Sequence, residues 1–120
     1  MIINLSNHTS SKWSEKQIKT ANKLFGDIID MPFPAVGAEA STDEIQAMAD
    51  EAALRITEMH PDAVMCQGEF TLTYAVVSRL KQNGIKVVSA CSERSAKETL
   101  LPDGRSEKKA VFDFVQFREY

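Results

Sequence analysis

What this chain has little of narrows the possibilities first. No apolar run approaches the ~20 residues of a membrane span. The opening Met1-Ile2-Ile3-Asn4-Leu5 lacks the basic start and long apolar stretch of a signal peptide. A cytoplasmic protein is therefore expected, and the Asn7-His8-Thr9 sequon carries no meaning there. Cysteine is scarce. Cys66 and Cys91 each close an apolar run, and in a reducing compartment they read as small buried hydrophobes. No Cys-x-x-Cys spacing makes them a redox pair, and with only His8 and His60 besides, a dedicated zinc site lacks ligands. There is no G-x-G-x-x-G and no Walker lysine motif, which disfavours a dinucleotide or a P-loop, so no cofactor is expected. Excess positive charge is missing too. A net charge of −3 and a pI near 5.4 argue against a long nucleic acid tracked by a basic surface. A small anionic ligand held by local groups remains open.

What is present is the balance of a soluble globular domain, with 43% hydrophobic and 26% charged residues. At 120 residues the chain reads as one α/β domain, 1–120. Ile2 to Leu5 forms an apolar strand that runs into the polar turn Ser6–Lys12. Ser14 stands three residues before Gln17, the capping-box spacing, and Trp13, Gln17, Ile18, Ala21, Leu24 and Phe25 follow helical intervals to a stop at Gly26. Asp27 to Met31 is a second strand, broken at Pro32-Phe33-Pro34. Ser41-x-x-Glu44 opens a second helix with Ile45, Met48, Ala49, Ala52, Ala53 and Ile56 inward, and Pro61 follows its end. Ala63 to Cys66 is apolar enough for a central parallel strand. After Gln67-Gly68-Glu69, a third helix carries Leu72, Ala75, Val76, Val77 and Leu80 to Asn83-Gly84. Ile85 to Cys91 is a fourth strand. Ser92 to Lys109 reads as a long flexible loop containing Pro102-Asp103-Gly104 and one helical turn, and Ala110 to Phe117 as the last strand.

This alternation predicts a Rossmann-like, mostly parallel five-stranded sheet in flavodoxin-like order 2-1-3-4-5, with helices on both faces; the last strand follows a loop rather than a clear helix, which leaves it open to run parallel or antiparallel. Ligands of such sheets sit outside the carboxyl ends of the strands, at the switch point between strands 1 and 3. Ser6, Asn7, His8, Ser11, Lys12 and Trp13 follow strand 1. Gly68, Glu69 and Thr71 follow strand 3, and Glu93 and Arg94 follow strand 4. Hydroxyl and amide donors ahead of a helix N-terminus favour a phosphate. Lys12 or Arg94 would supply charge, and Trp13 or Phe33 would stack on a base. Each element has a plainer reading: Ser11 and Ser14 as caps, Trp13 as a staple against the core, Gly68 as a tight turn, and Glu69 as the preferred charge of a first helical turn.

The stretches Ile-Ile-Asn-Leu-Ser-Asn-His (2–8), Met-Cys-Gln-Gly-Glu-Phe-Thr-Leu-Thr (65–73) and Phe-Val-Gln-Phe-Arg-Glu-Tyr (114–120) resemble small CRISPR-associated proteins of type III systems. These include ring nucleases, which degrade cyclic oligoadenylate messengers. The resemblance implies a homodimer with its ligand across the two-fold axis and metal-independent attack of a ribose 2′-OH on the adjacent phosphate. It would make His8 the acid or base, with Ser11 and Lys12 beside it. Ser6, Asn7, Trp13, Gly68, Glu69, Thr71 and Arg94 would hold the ligand. Three alternatives stand beside it. One is a non-catalytic sensor or sponge for the same ligand. Another is a nucleoside- or nucleotide-processing hydrolase with Glu69 or Glu93 as nucleophile. The third is an assembly partner that uses the Phe-rich last strand. In a regular strand, Phe112 and Phe114 would share one face and Val111, Val115 and Phe117 the other, which leaves an apolar edge suited to a second subunit.

Overall fold

A computed structural model describes residues 1–120. The sheet has five strands: β1 (Ile2–Ser6), β2 (Ile28–Pro32), β3 (Ala63–Gln67), β4 (Val87–Leu100) and β5 (Ser106–Glu119). They lie in the order β2-β1-β3-β4-β5, with all neighbours parallel except β4 and β5, which are antiparallel. β1 and β3 are adjacent at the centre, as the buried character of Ala63–Cys66 leads one to expect. A 3-10 turn, Ser10–Lys12, precedes helix α1 (Glu15–Phe25); α2 (Thr42–Glu58) and α3 (Phe70–Gln82) complete the fold. Trp13 lies outside α1, one residue before its N-cap. Of the three candidate serine caps two form: Ser14 Oγ accepts from the Gln17 N–H, and Ser41 Oγ from that of Glu44, whereas Ser11 lies inside the 3-10 turn.

The helices cover the two sheet faces unequally. α2 and α3 pack together over Ile3, Leu5, Val64, Cys66 and Val87, and Arg79 of α3 reaches Asp50 (2.6 Å) and Gln46 (2.7 Å) of α2. The opposite face carries Ile2, Asn4, Ala63, Met65 and Val88. The 11 residues of α1 are the only helix over it, with Ala21 inward and Trp13 and Phe25 against Phe117 of β5. One short helix cannot span five strands, so the carboxyl end of this face stays open. The position of the cavity follows from that shortage. No helix is long and apolar enough to cross a membrane.

Three expectations need correction. Residues 92–109 are not a flexible loop with a helical turn. β4 continues to Leu100 and β5 begins at Ser106, so the two form a long hairpin, and β5 starts four residues before the predicted Ala110. Residues 92–100 are all exposed, so neither face meets a core that would impose apolar alternation, and a fully wet ribbon reads as loop. The turn itself uses the expected residues. The Gly104 N–H donates to Leu101 O at 3.0 Å, and Gly104 takes φ 85°, which a glycine adopts without a Cβ clash. The hairpin projects as an arm, giving a radius of gyration of 17.1 Å where a compact chain of this length has about 14 Å.

The second correction is to the start of β4, which begins at Val87 rather than Ile85. The third concerns β5. Its register slips between Cys91 and Ser92, whose partners are Gln116 and Phe114, leaving Val115 as an extra, unpaired residue. That bulge reverses the alternation beyond it. Phe114 therefore joins Phe117 on the α1 face, with ring centroids 4.9 Å apart, instead of facing away from it.

Candidate functional site

The open carboxyl end of the α1 face holds a cavity of about 620 Å³, within the usual range of small-molecule sites. Its floor is Met65, Ala90 and Phe114. Its walls are the Ser6–His8 loop, Lys12 to Ser14, Gln17 from α1, Gln67 and Gly68 after β3, and Ser92 and Phe112 from the arm. A smaller recess of about 160 Å³ adjoins it between the ends of β1 and β2, sharing Ser6, Asn7 and His8.

The first loop is held by a buried amide. Asn4, 1% exposed, donates from Nδ2 to His8 O and to Asp30 Oδ1, both at 2.8 Å, and its Oδ1 accepts from the Ser6 hydroxyl at 2.7 Å. Asp30 lies opposite Asn4 in the β1–β2 register and accepts from the Ser10 N–H and the Ser10 hydroxyl, each at 2.9 Å. Partial burial pulls the Asp30 carboxyl upward, but the donors from Asn4 and Ser10 outweigh it and hold it below the ordinary aspartate value. The main chain at His8 is thus fixed from beneath, while its imidazole makes no hydrogen bond to a protein group and borders both recesses.

β3 and β4 pair only at Val64–Val87 and Met65–Val88 and then separate. Gln67 spans the gap: its Oε1 accepts from the Ala90 N–H at 2.8 Å, leaving its NH2 group for the cavity. Beside it, Gly68 lies under Phe33, and a Cβ at Gly68 would come within 2.5 Å of that ring. Phe33 is therefore committed to covering Gly68, and Trp13 partly to Phe117, 6.2 Å between centroids.

Of the residues singled out from sequence, Ser6, Asn7, His8, Lys12, Trp13 and Gly68 come together at the cavity. Ser11, Glu69, Thr71 and Arg94 are not among the groups that line it. The Ser11 hydroxyl pairs with that of Thr9 at 2.7 Å. Glu69 is the N-cap of α3, accepting from Thr71 N–H (3.0 Å), Leu72 N–H (2.8 Å) and the Thr71 hydroxyl. The Thr71 hydroxyl and those N–H groups keep the Glu69 carboxyl below its ordinary value. The N-terminus of α3 is thereby occupied by a carboxylate of its own. At α1 the cap is a neutral serine, Ser14, which accepts from the Gln17 N–H, and Glu15 is the acidic residue of the first turn.

Sequence reading missed Asn4 and Asp30 as loop anchors, and Gln17, Met65, Ala90, Phe112 and Phe114 as cavity lining. An asparagine inside an apolar strand was the available signal for the first of these, because a buried amide needs partners. The thiols stand apart. Burial pushes Cys66 up to about 12, leaving it protonated, and Cys91 is free and half-buried.

None of the 14 residues lining the cavity is Asp or Glu, although the chain has 17 of them; the charged or titratable side chains there are Lys12 and His8. Lys12 forms no ion pair. Fold and cavity together define a mixed α/β protein with a recess at the carboxyl edge of its sheet whose lining holds Lys12 and His8 and no carboxylate. Residues 1–118 match the Uncharacterized protein MJ1673 family, and the chain belongs to that family. No curated protein matches the chain.

Proposed function

We propose that this protein is a Rossmann-like, ring-nuclease-type phosphodiesterase that binds and cleaves a cyclic oligoadenylate. The observation that carries the reading is the cavity lined by no Asp or Glu, in which Lys12, His8 and the Ser14-capped start of α1 meet at the strand ends. A phosphodiester there finds donors and the Lys12 cation with no carboxylate in the lining, and Asp30, in the adjoining recess, is held by donors from Asn4 and Ser10. The bond changes are internal to the ligand. A ribose 2′-oxygen bonds to the adjacent phosphorus, the P–O5′ bond breaks, and the proton passes from the 2′-OH to the departing 5′-oxygen. His8 hands on that proton, Lys12 faces the charge on the phosphate oxygens, and Ser6, Asn7 and Gln67 hold the alignment.

The test is incubation with cyclic tetra-adenylate and cyclic hexa-adenylate, with and without EDTA. Linear products ending in a 2′,3′-cyclic phosphate are expected, in equal yield with chelator. Lys12→Gln should weaken ligand binding. Activity abolished by EDTA and restored by a divalent ion would remove the proposed chemistry. A second reading, a sponge that binds the ring intact, is favoured by one observation, the lack of any protein partner for the His8 imidazole, and would appear as binding without products. Neither Glu69 nor Glu93 lines the cavity, which weighs against a carboxylate nucleophile.

A ring of several nucleotides exceeds one cavity of this size, so the site is proposed to be shared by two protomers in a cytoplasmic homodimer. α3 offers a surface for the pairing: Phe70 and Tyr74, one turn apart, are 89% and 77% exposed beside the strand ends. Light scattering at low micromolar concentration is expected to give twice the 13.3 kDa chain mass, and Phe70→Glu with Tyr74→Glu to give the monomer. A monomeric wild-type mass unchanged by cyclic tetra-adenylate counts against the shared site.

A further inference from the structure

The arm brings to the cavity something the strand-end loops lack, a bare aromatic face. Phe112 borders the cavity yet is 67% exposed, and it stacks on no other ring of the protein. Its position depends on the bulge at Val115. In a regular strand Phe112 and Phe114 would face away from Phe117. With the extra residue, Phe117 sits against Trp13 and Phe25, Phe114 is buried next to it, and Phe112 follows outward at the cavity mouth.

Arg94 is the cross-strand partner of Phe112, so its side chain leaves the ribbon on the same face, and it forms no ion pair. A flat apolar ring with an unpaired guanidinium beside it, at the edge of an acid-free cavity, matches a planar base joined to a phosphate.

We infer that Phe112 is the platform on which a nucleobase of the ligand stacks, with Arg94 facing a phosphate next to that base. This makes the ligand a base-bearing phosphate ester rather than a bare phosphate or sugar phosphate. The inference rests on the reading of the cavity as an anion site. It assigns base recognition to the arm and phosphate recognition to the Ser6–Lys12 loop together with Arg94.

Trp13, the only tryptophan, lines the same cavity, so its fluorescence reports occupancy. The full chain is titrated with adenosine 5′-monophosphate and with ribose 5-phosphate, which share sugar and phosphate and differ in the base. The monophosphate is expected to bind more tightly. Phe112→Ala should weaken it roughly 5- to 100-fold while leaving ribose 5-phosphate unchanged, and Phe112→Tyr should retain it. Arg94→Gln should weaken both. Because Phe112 is largely exposed, its replacement leaves the core intact.

A preference for the base-bearing ligand that survives Phe112→Ala overturns the platform while the anion site stands. Loss of dimer mass in Phe112→Ala, with unchanged affinity for the monophosphate, overturns it too and assigns the ring to an interface between copies. If neither compound binds the wild-type chain, the anion site fails and the platform with it.

Discussion

His8→Ala is expected to lower single-turnover cleavage of cyclic tetra-adenylate by roughly 10²–10⁴-fold while leaving affinity nearly unchanged. The substitution is clean for a structural reason. The loop is anchored through the main chain of His8, whose carbonyl accepts from Asn4 Nδ2 at 2.8 Å and whose N–H donates to Ser6 Oγ at 3.4 Å. Alanine keeps both bonds, so a rate loss reports the imidazole and not a displaced loop. The ring has no protein partner to orient it, so the bound ligand must do so, and cleavage should be more sensitive to ligand geometry than binding is. Equal losses in rate and affinity would recast His8 as a binding residue, and an unchanged rate would remove it from the chemistry. Lys12→Gln gives the contrast. A cation facing a phosphate in both ground and transition state acts mainly on affinity. Opposite profiles for the two variants separate proton transfer from charge balance.

The fold was legible where the chain faces a core. Ile2–Leu5 and Ala63–Cys66 are apolar runs because their strands are covered on both faces, and Ser14 and Ser41 mark their helices because an N-cap hydroxyl has a fixed job. The arm was not legible, since Ser92–Leu100 has solvent on both sides and no periodicity to display. The bulge at Val115 was invisible for a different reason. It is a property of the pairing, which sets Phe114 beside Phe117 on one face, and nothing in Phe-Val-Gln-Phe announces an extra residue. The candidate site was read in part because loops after parallel strands converge whatever their sequence. That rule collects Ser6, Asn7, His8, Lys12, Trp13 and Gly68. It cannot tell a carboxylate free for a ligand from one already spent on a cap, as at Glu69, nor can it see which sheet face a single short helix leaves uncovered.

Asn4→Ala should destabilise the protein by roughly 2–3 kcal/mol, a large effect for one polar side chain. Asn4 is buried in the central strand and makes three side-chain hydrogen bonds, to His8 O, Asp30 and Ser6. Alanine removes all three and leaves part-buried polar groups short of partners. Urea unfolding should show a lower midpoint at an unchanged slope, and a change under about 0.5 kcal/mol would sink the claim that this amide organises the loop. Asp30→Asn separates charge from geometry. An asparagine Oδ1 still accepts from Asn4 and the Ser10 N–H, and its amide donates to the Ser10 hydroxyl, so stability at neutral pH should change little. The acid limb should differ. The Asp30 carboxyl is held below its ordinary 3.8 in the folded protein, so it contributes stability above that value and loses it as pH falls through the lower folded value. Asp30→Asn should remove that share of the loss below about pH 4 and leave the profile above pH 5 unchanged. An acid limb identical to the wild type would mean that Asp30 is not held down by its donors in the folded state, and would leave the remaining acid sensitivity to the capped Glu69 and to Asp103, which Arg105 holds below its ordinary value.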